Sequence, residues 1–489
     1  MNLSNLKYCD AIYCPKKLWL DNNFPQLASQ SVKSKTNIIN NISLLSIAQS
    51  FFSSCIEISS KLDISHKLEA TKKALANTTT IVGATFFYED CLCTIDIFHQ
   101  ENNEVTIYSV KQAPAIKEIY LEELKYQTYI LQKLGYNMVK ICLLYINTDY
   151  IFNEVIDYFK FFHLDDCTYL ILSSLNEVKD NINKFVAYLE QQKEPSADLT
   201  IKCLTPEKCP FFNYCHSFLQ PNNVFNLPRL SAQSKIELYQ QGLYTYEMLL
   251  KTNLKNTFKL PMYYELYNPS PYINKENILA FFNKMSKPIY FIDITYFQLV
   301  VPLYNNSKPY QKIPFQYSIA YLNKTTNNFN YIDYLSKEDG DPRRLLAESL
   351  INNIPNNVTL ITYNVSLKKE LLQDLASLYP DIKKQLLSIS NNLRDLMYPF
   401  YNYDYYCKEM HDSYLFKDVL KALFSNDSEL NYQKLSQVHD ENEACLTYLK
   451  LFKSSSKEQL KKSQNLINYV HLNTYALTEI YSFLQNLVK

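Results

Sequence analysis

Apolar and polar positions fall into two blocks of strand-like and helix-like periodicity, separated by short runs broken by proline. In the first block, IVGATFFY (Ile81 to Tyr88), LCTIDIF (Leu92 to Phe98) and VTIYSVK (Val105 to Lys111) are rich in β-branched and aromatic residues and predict three successive strands. EIYLEELKYQTYILQKLG follows, with acids in its first turns and Gly135 where a helix stops, and predicts a helix. VKICLLYIN, from Val139, is almost continuously apolar and predicts a buried strand. The order β-β-β-α-β describes an α/β core.

The second block opens with the strand pattern PIYFIDITYF and continues with IPFQYSIAYL and NYIDYLS. A helix is expected from Pro342, then the strand VTLITYN, then helices to the C-terminus. Between the blocks, Pro221 to about Lys287 carries short helical patterns and proline turns. The expected division is therefore an N-terminal α/β domain over 1–220, a helical connector over 221–287 and a C-terminal α/β domain over 288–489.

Composition narrows the function. With 489 residues, 47% apolar and 20% charged, the chain is long enough for several packed cores. No run of 18 apolar residues occurs and MNLSNLKYCD lacks a secretory core, so a cytoplasmic, membrane-free protein is expected. Forty-nine basic residues balance 49 acidic ones, which excludes a chain-wide basic footprint for nucleic acid. Local basic spots remain at Lys16 and Lys17, at Lys33 and Lys35, and along the stretch from Lys453. Only four glycines are present, so neither G-x-G-x-x-G nor a G-x-x-x-x-G-K phosphate loop can be written.

Four of the 12 cysteines bracket the first α/β core: Cys14 before it, and Cys203, Cys209 and Cys215 after it. The triplet has C-x5-C-x5-C spacing, with Pro206 and Pro210 forcing turns between the thiols. Four thiolates suit a soft metal centre. An iron–sulfur cluster, a zinc ion and unliganded structural cysteines all stand as readings, and the five-residue gaps fit a zinc ribbon poorly. Cys9 and His216 are adjacent alternatives as ligands, while Cys91 and Cys93 read as core packing.

These motifs resemble two nuclease superfamilies. Asp96 in mid-strand, Lys111 closing the next strand and a following helix with Gln127 and Tyr129 resemble the PD-(D/E)XK pattern. The cysteine bracket and YCPKKLWL (Tyr13 to Leu20) are similar to the RecB-like, CRISPR-associated type. PIYFIDITYF, DPRRLLAESL, LRDLMYPF and SYLFKDVLKAL resemble a bacterial domain-of-unknown-function family that fuses such a domain to an RNase H-like DEDD exonuclease domain. The resemblance implies a 4Fe-4S cluster on Cys14, Cys203, Cys209 and Cys215, Mg or Mn at Asp96, a DNA or RNA partner contacted by Lys16, Lys17, Gln127 and Tyr129, and catalytic roles for Asp96, Lys111 and Asp293.

Both active sites depart from their patterns. The E-x-K glutamate is Ser109, and the upstream acid position is Gly83, with Glu89 and Asp90 as substitutes only if the hairpin turns them inward. In the DEDD-like set, D-x-E is Asp293-Ile294-Thr295, the second acid is Lys368, and Y-x-x-x-D ends in Asn473; Asp395 is a further acid of unassigned role. Two-metal phosphoryl transfer depends on carboxylates, so the expected function is nucleic-acid binding by a protein of nuclease ancestry with little or no catalysis. The alternatives are an active nuclease using Asp96 and Lys111, and an iron–sulfur redox sensor or scaffold.

Overall fold

The computed structural model describes residues 2–29, 38–39, 42–286, 288–323, 328–337 and 339–489, so the basic pair Lys33 and Lys35 lies outside the described residues. The chain divides into two units: Met1–Lys33, Asn40–Ser217 and Leu299–Tyr310 in unit 1, and Ser34–Ile39, Phe218–Gln298 and Gln311–Lys489 in unit 2. Both are mixed α/β, as expected from the periodicity. Among the described residues, no helix is long and apolar enough to cross a membrane.

Unit 1 opens with two short helices, α1 (Asn5–Tyr13) and α2 (Pro15–Asn23). Its sheet runs through β1 (Thr80–Tyr88), β2 (Cys91–Glu101), β3 (Glu104–Lys111), β4 (Asn137–Ile146) and β5 (Phe162–Asp166) in that spatial order. The first three strands form an antiparallel meander; β4 then lies parallel to β3, reached through α3 (Glu118–Lys133). Gly135, at φ 90°, ends that crossover in a backbone conformation that glycine adopts freely. A further helix, α4 (Asn176–Glu190), leads back toward the cysteine triplet.

Along β2, burial alternates: Cys91, Cys93, Ile95 and Ile97 are buried, while Leu92, Thr94 and Asp96 are only partly covered. Ile95 joins a core with Ile81, Ile107, Leu124, Ile130 and Ile141. Each such side chain contributes about 1.5–3 kcal/mol on burial, so a one-residue slip that exposed Ile95 and drove Asp96 inward is strongly disfavoured. That register sets the Asp96 carboxylate on the opposite face from the core isoleucine beside it.

Unit 2 carries β6 (Ile289–Leu299), β7 (Lys312–Leu322), β8 (Phe329–Leu335), β9 (Thr359–Thr362) and β10 (Leu393–Asp395). Their spatial order is β8-β7-β6-β9-β10, with β6 to β8 antiparallel and both β9 and β10 parallel in sense to β6. Helices α5 (Arg343–Asn353), α6 (Val365–Leu378) and α7 (Lys383–Asn391) cover a core built on Ile292, Ile294, Ile319, Leu346, Leu371 and Leu375. The long α8 (Ser456–Val488) packs on β7 and β8. Short helices between 224 and 267 have their own cluster around Val224, Leu227, Leu249 and Met262.

Of the ten strands labelled above, β5 and β10 are not anticipated by the sequence pattern. Phe162–Asp166 alternates too weakly to register, and Leu393–Asp395 spans three residues, too few to display a period. Both gain their extended form from a neighbouring strand rather than from local preference.

Candidate functional sites

In unit 1, β2 and β3 bring Asp96 and Lys111 into one electrostatic site, as the motif implies. The third member comes from α3. Glu123 places Oε2 2.6 Å from Lys111 Nζ, with the two side chains 20% and 15% exposed. Asn5 Nδ2 donates to the other Glu123 oxygen at 3.2 Å and to the Thr94 carbonyl at 2.7 Å. Asp96 Oδ2 accepts the Val110 N–H at 2.7 Å and the Ser109 hydroxyl at 3.3 Å. Ser109, standing at the E-x-K glutamate position, thus supports Asp96 instead of adding a charge.

Two carboxylates, Asp96 and Glu123, face one ammonium in this site. Burial raises the Asp96 carboxyl above its ordinary range, with Lys111 and the Val110 amide opposing. Burial alone would lower the Lys111 ammonium; Asp96 and Glu123 together outweigh it and carry the net shift upward. Burial also pushes the nearby Cys9 thiol up to about 12, which keeps it protonated and unreactive at neutral pH.

Gly83 explains one missing acid. It lies between the pairs Val82–Ile97 and Ala84–Ile95, across from Asp96, at φ 72°. A Cβ there would meet the Ile58 carbonyl oxygen at 3.1 Å, so a carboxylate side chain is disfavoured by both conformation and space. Glu89 and Asp90 do not substitute, because both are exposed at the hairpin tip.

Of the implied substrate contacts, Gln127 is 1% exposed and its amide donates to the Thr94 carbonyl at 3.0 Å. Tyr129 packs against the unit 1 core with the Lys133 ammonium 5.4 Å from its ring centre. Lys16 pairs with Glu194 at 2.6 Å, while Lys17 bridges Asp10 at 2.8 Å and Asp21 at 2.7 Å. Each of these four side chains has a partner within unit 1. Glu123 was missed by motif reading, although its i, i+4 spacing from Gln127 put it on the same helical face.

The cysteine bracket closes in space. Cys14 sits at the junction of α1 and α2, and the Cys209 N–H bonds the Cys203 carbonyl at 3.0 Å. Trp19, Leu20 and Phe211 form a small core against which Cys209 and Cys215 pack. Burial lifts the Cys215 thiol to about 11, with Cys209, Cys14 and Cys203 adding to the rise and Lys16 opposing it. All four thiols are therefore electrostatic neighbours, and in donor chemistry they suit a soft metal centre. They are free cysteines, however, and among the described residues no group of three or more His, Cys, Asp or Glu is arranged to hold a metal ion. The thiols gather without closing to ligand spacing.

In unit 2, the DEDD-like positions also converge, in altered chemistry. Asp293 on β6 lies 2.6 Å from Lys368 Nζ on α6, and the side chains are 17% and 6% exposed. The same ammonium donates to the Ile294 carbonyl at 2.7 Å. Asn473 on α8 donates to the second Asp293 oxygen at 2.8 Å and accepts from the Tyr432 hydroxyl at 2.6 Å. Thr295, two residues along β6 from Asp293, accepts the Gln316 amide at 3.2 Å.

Asp395, the acid of unassigned role, accepts backbone N–H groups from Asn364 at 3.0 Å, Val365 at 2.8 Å and Met397 at 3.0 Å. It anchors the start of α6, where Asn364 takes the left-handed φ of 61°. Its role here is structural.

Residues 290–414 match a family described as a domain of unknown function (DUF2779). No curated protein matches the chain.

Proposed function

We propose that the protein binds nucleic acid and descends from nucleases, with two-metal chemistry lost from unit 2. The Asp293–Lys368 ion pair carries this reading. An ammonium 2.6 Å from the only acid of that constellation neutralises the charge on which a divalent ion would depend. The strand order β8-β7-β6-β9-β10 supports an RNase H-like ancestry, and the meander followed by a crossover helix in unit 1 supports a PD-(D/E)XK one.

Unit 1 keeps two carboxylates, Asp96 and Glu123, against the single Lys111 ammonium. Mg²⁺ is commonly held by one or two carboxylates together with waters and substrate phosphates, and Asp96 and Glu123 are the side chains that would supply them. When bound, Mg or Mn would polarise a phosphodiester and activate water; Lys111 would hold charge beside it. Glu123 therefore favours a second reading, an active nuclease confined to unit 1. The proposed 4Fe-4S cluster would join Cys14 to Cys203, Cys209 and Cys215 as a staple of unit 1.

The deciding experiment incubates anaerobically purified protein with labelled single- and double-stranded DNA and RNA, with Mg²⁺ or Mn²⁺. Binding without cleavage supports the principal reading. Cleavage abolished by Lys111→Ala or Glu123→Gln but not by Asp293→Ala establishes the second. Absence of binding to every nucleic acid overturns both.

A further inference from the structure

A pocket of about 650 Å³ in unit 2 lies apart from the Asp96 and Asp293 sites, with the start of SYLFKDVLKAL in its wall. Its wall includes Arg229, Phe258, Tyr401, Tyr403, Asp412 and Tyr414. That volume is in the usual range for small-molecule sites, which is about 300–1,000 Å³.

Arg229 organises the wall. Its guanidinium carbon stands 3.8 Å from the Tyr403 ring centre and 4.8 Å from that of Tyr414. Its nitrogens donate to the carbonyls of Asp412, Tyr401 and Phe400 at 3.3, 2.6 and 3.0 Å. Each guanidinium nitrogen thus has a backbone acceptor, which leaves the group poorly placed to grip a phosphate. Its positive charge among the rings also disfavours a cationic guest.

Asp412 supplies the unmet need. It is 3% exposed; Oδ1 accepts the Tyr403 hydroxyl and pairs with Arg229 Nε at 3.3 Å, while Oδ2 is buried without a hydrogen-bond donor. An orphaned carboxylate oxygen is costly, and native structures seldom retain one without a use. Two wall residues, Tyr403 and Asp412, have φ of 57° and 58°, and His411 next to Asp412 has 48°, all in the left-handed region. Such strain tends to concentrate at ligand clamps.

We propose that this pocket binds a neutral, planar heteroaromatic carrying an N–H donor, of the amino-nucleobase class, its ring against the tyrosines and its amino group turned to Asp412 Oδ2. Binding requires a small side-chain adjustment to open Oδ2, since that atom is covered in the unliganded wall. Free nucleosides and unpaired bases of a strand share this chemistry. The inference rests on unit 2 alone and survives failure of the nuclease reading.

The test is equilibrium binding of the full chain to adenosine, cytidine, uridine and N6,N6-dimethyladenosine, and to single-stranded oligonucleotides of adenine or uracil. Adenosine and cytidine should bind, with at least about tenfold loss for the dimethylated analogue and for Asp412→Asn. Binding by free nucleosides assigns a small-molecule site. Binding by adenine strands alone, lost in Asp412→Asn, assigns a strand-reading site. Equal affinity for the dimethylated analogue, or no binding by any probe, overturns the inference. Because that comparison uses the wild-type protein, it decides the matter even if Asp412→Asn fails to fold.

Discussion

Lys368 sets its ammonium 2.6 Å from the Asp293 carboxylate, and both side chains are largely buried. A fixed cation thereby stands against the one acid among Asp293, Thr295, Lys368 and Asn473. The pair is structural glue of the kind in which losing one partner is worse than replacing both, because the survivor is left charged in a poor solvent.

Lys368→Met should therefore destabilise unit 2 by about 3–5 kcal/mol, and Asp293→Asn with Lys368→Met should recover much of that loss. Urea denaturation of the single and double variants measures it. A single variant as stable as wild type would show that solvent screens the pair.

Placing acids around Asp293 should create metal affinity. Thr295→Glu, Lys368→Asp and Asn473→Asp together put carboxylates at positions beside Asp293, and the triple variant should bind Mn²⁺ more tightly than wild type. Isothermal calorimetry reads the difference directly. Equal affinity in the two proteins would mean that the four positions do not face a common centre.

If unit 1 cleaves nucleic acid, Glu123→Gln should lower the metal-dependent rate about ten- to a hundredfold while leaving substrate affinity nearly unchanged. The variant keeps the shape of the contact with Lys111 and Asn5 but removes the charge. A rate equal to wild type would exclude Glu123 from the chemistry.

The pH profile follows from Asp96. Its folded-state carboxyl is raised by burial, so above the ordinary value of about 3.9 the native state holds a proton that the unfolded chain has released. Its contribution to stability is thus largest at low pH and declines as pH rises from that value through the raised one. Asp96→Asn should flatten this part of the profile, measured as urea midpoints between about pH 4 and 7. A steeper profile in the variant would reverse the assigned sign.

Cys215 offers a test of the bracket. With its thiol near 11, metal-free protein should react with iodoacetamide at a rate that climbs steadily toward that pH. Anaerobic reconstitution with iron and sulfide should protect Cys215 and produce a visible absorption band, and Cys14→Ser should weaken both effects. Unchanged alkylation after reconstitution would leave the four thiols as structural cysteines.

Local pattern alone located most of the framework. The β-branched runs at 81–88, 92–98 and 105–111 became β1 to β3, and the acids and Gly135 marked the crossover helix, because strand and helix periods are written in neighbouring residues. Resemblance to nuclease motifs singled out Asp96, Lys111, Asp293, Lys368 and Asn473, and chemistry alone indicated that a lysine and an amide cannot replace acids. Folding decided who meets whom. Glu123 reaches Lys111 across 12 positions, Asn473 reaches Asp293 across 180, and Arg229 reaches Asp412 across 183. Such pairings depend on register, crossover and helix packing, which no local period encodes. Gly83 shows the same limit at a single position: its sequence reads as a lost acid, while its positive φ and the Ile58 carbonyl give a steric reason for glycine.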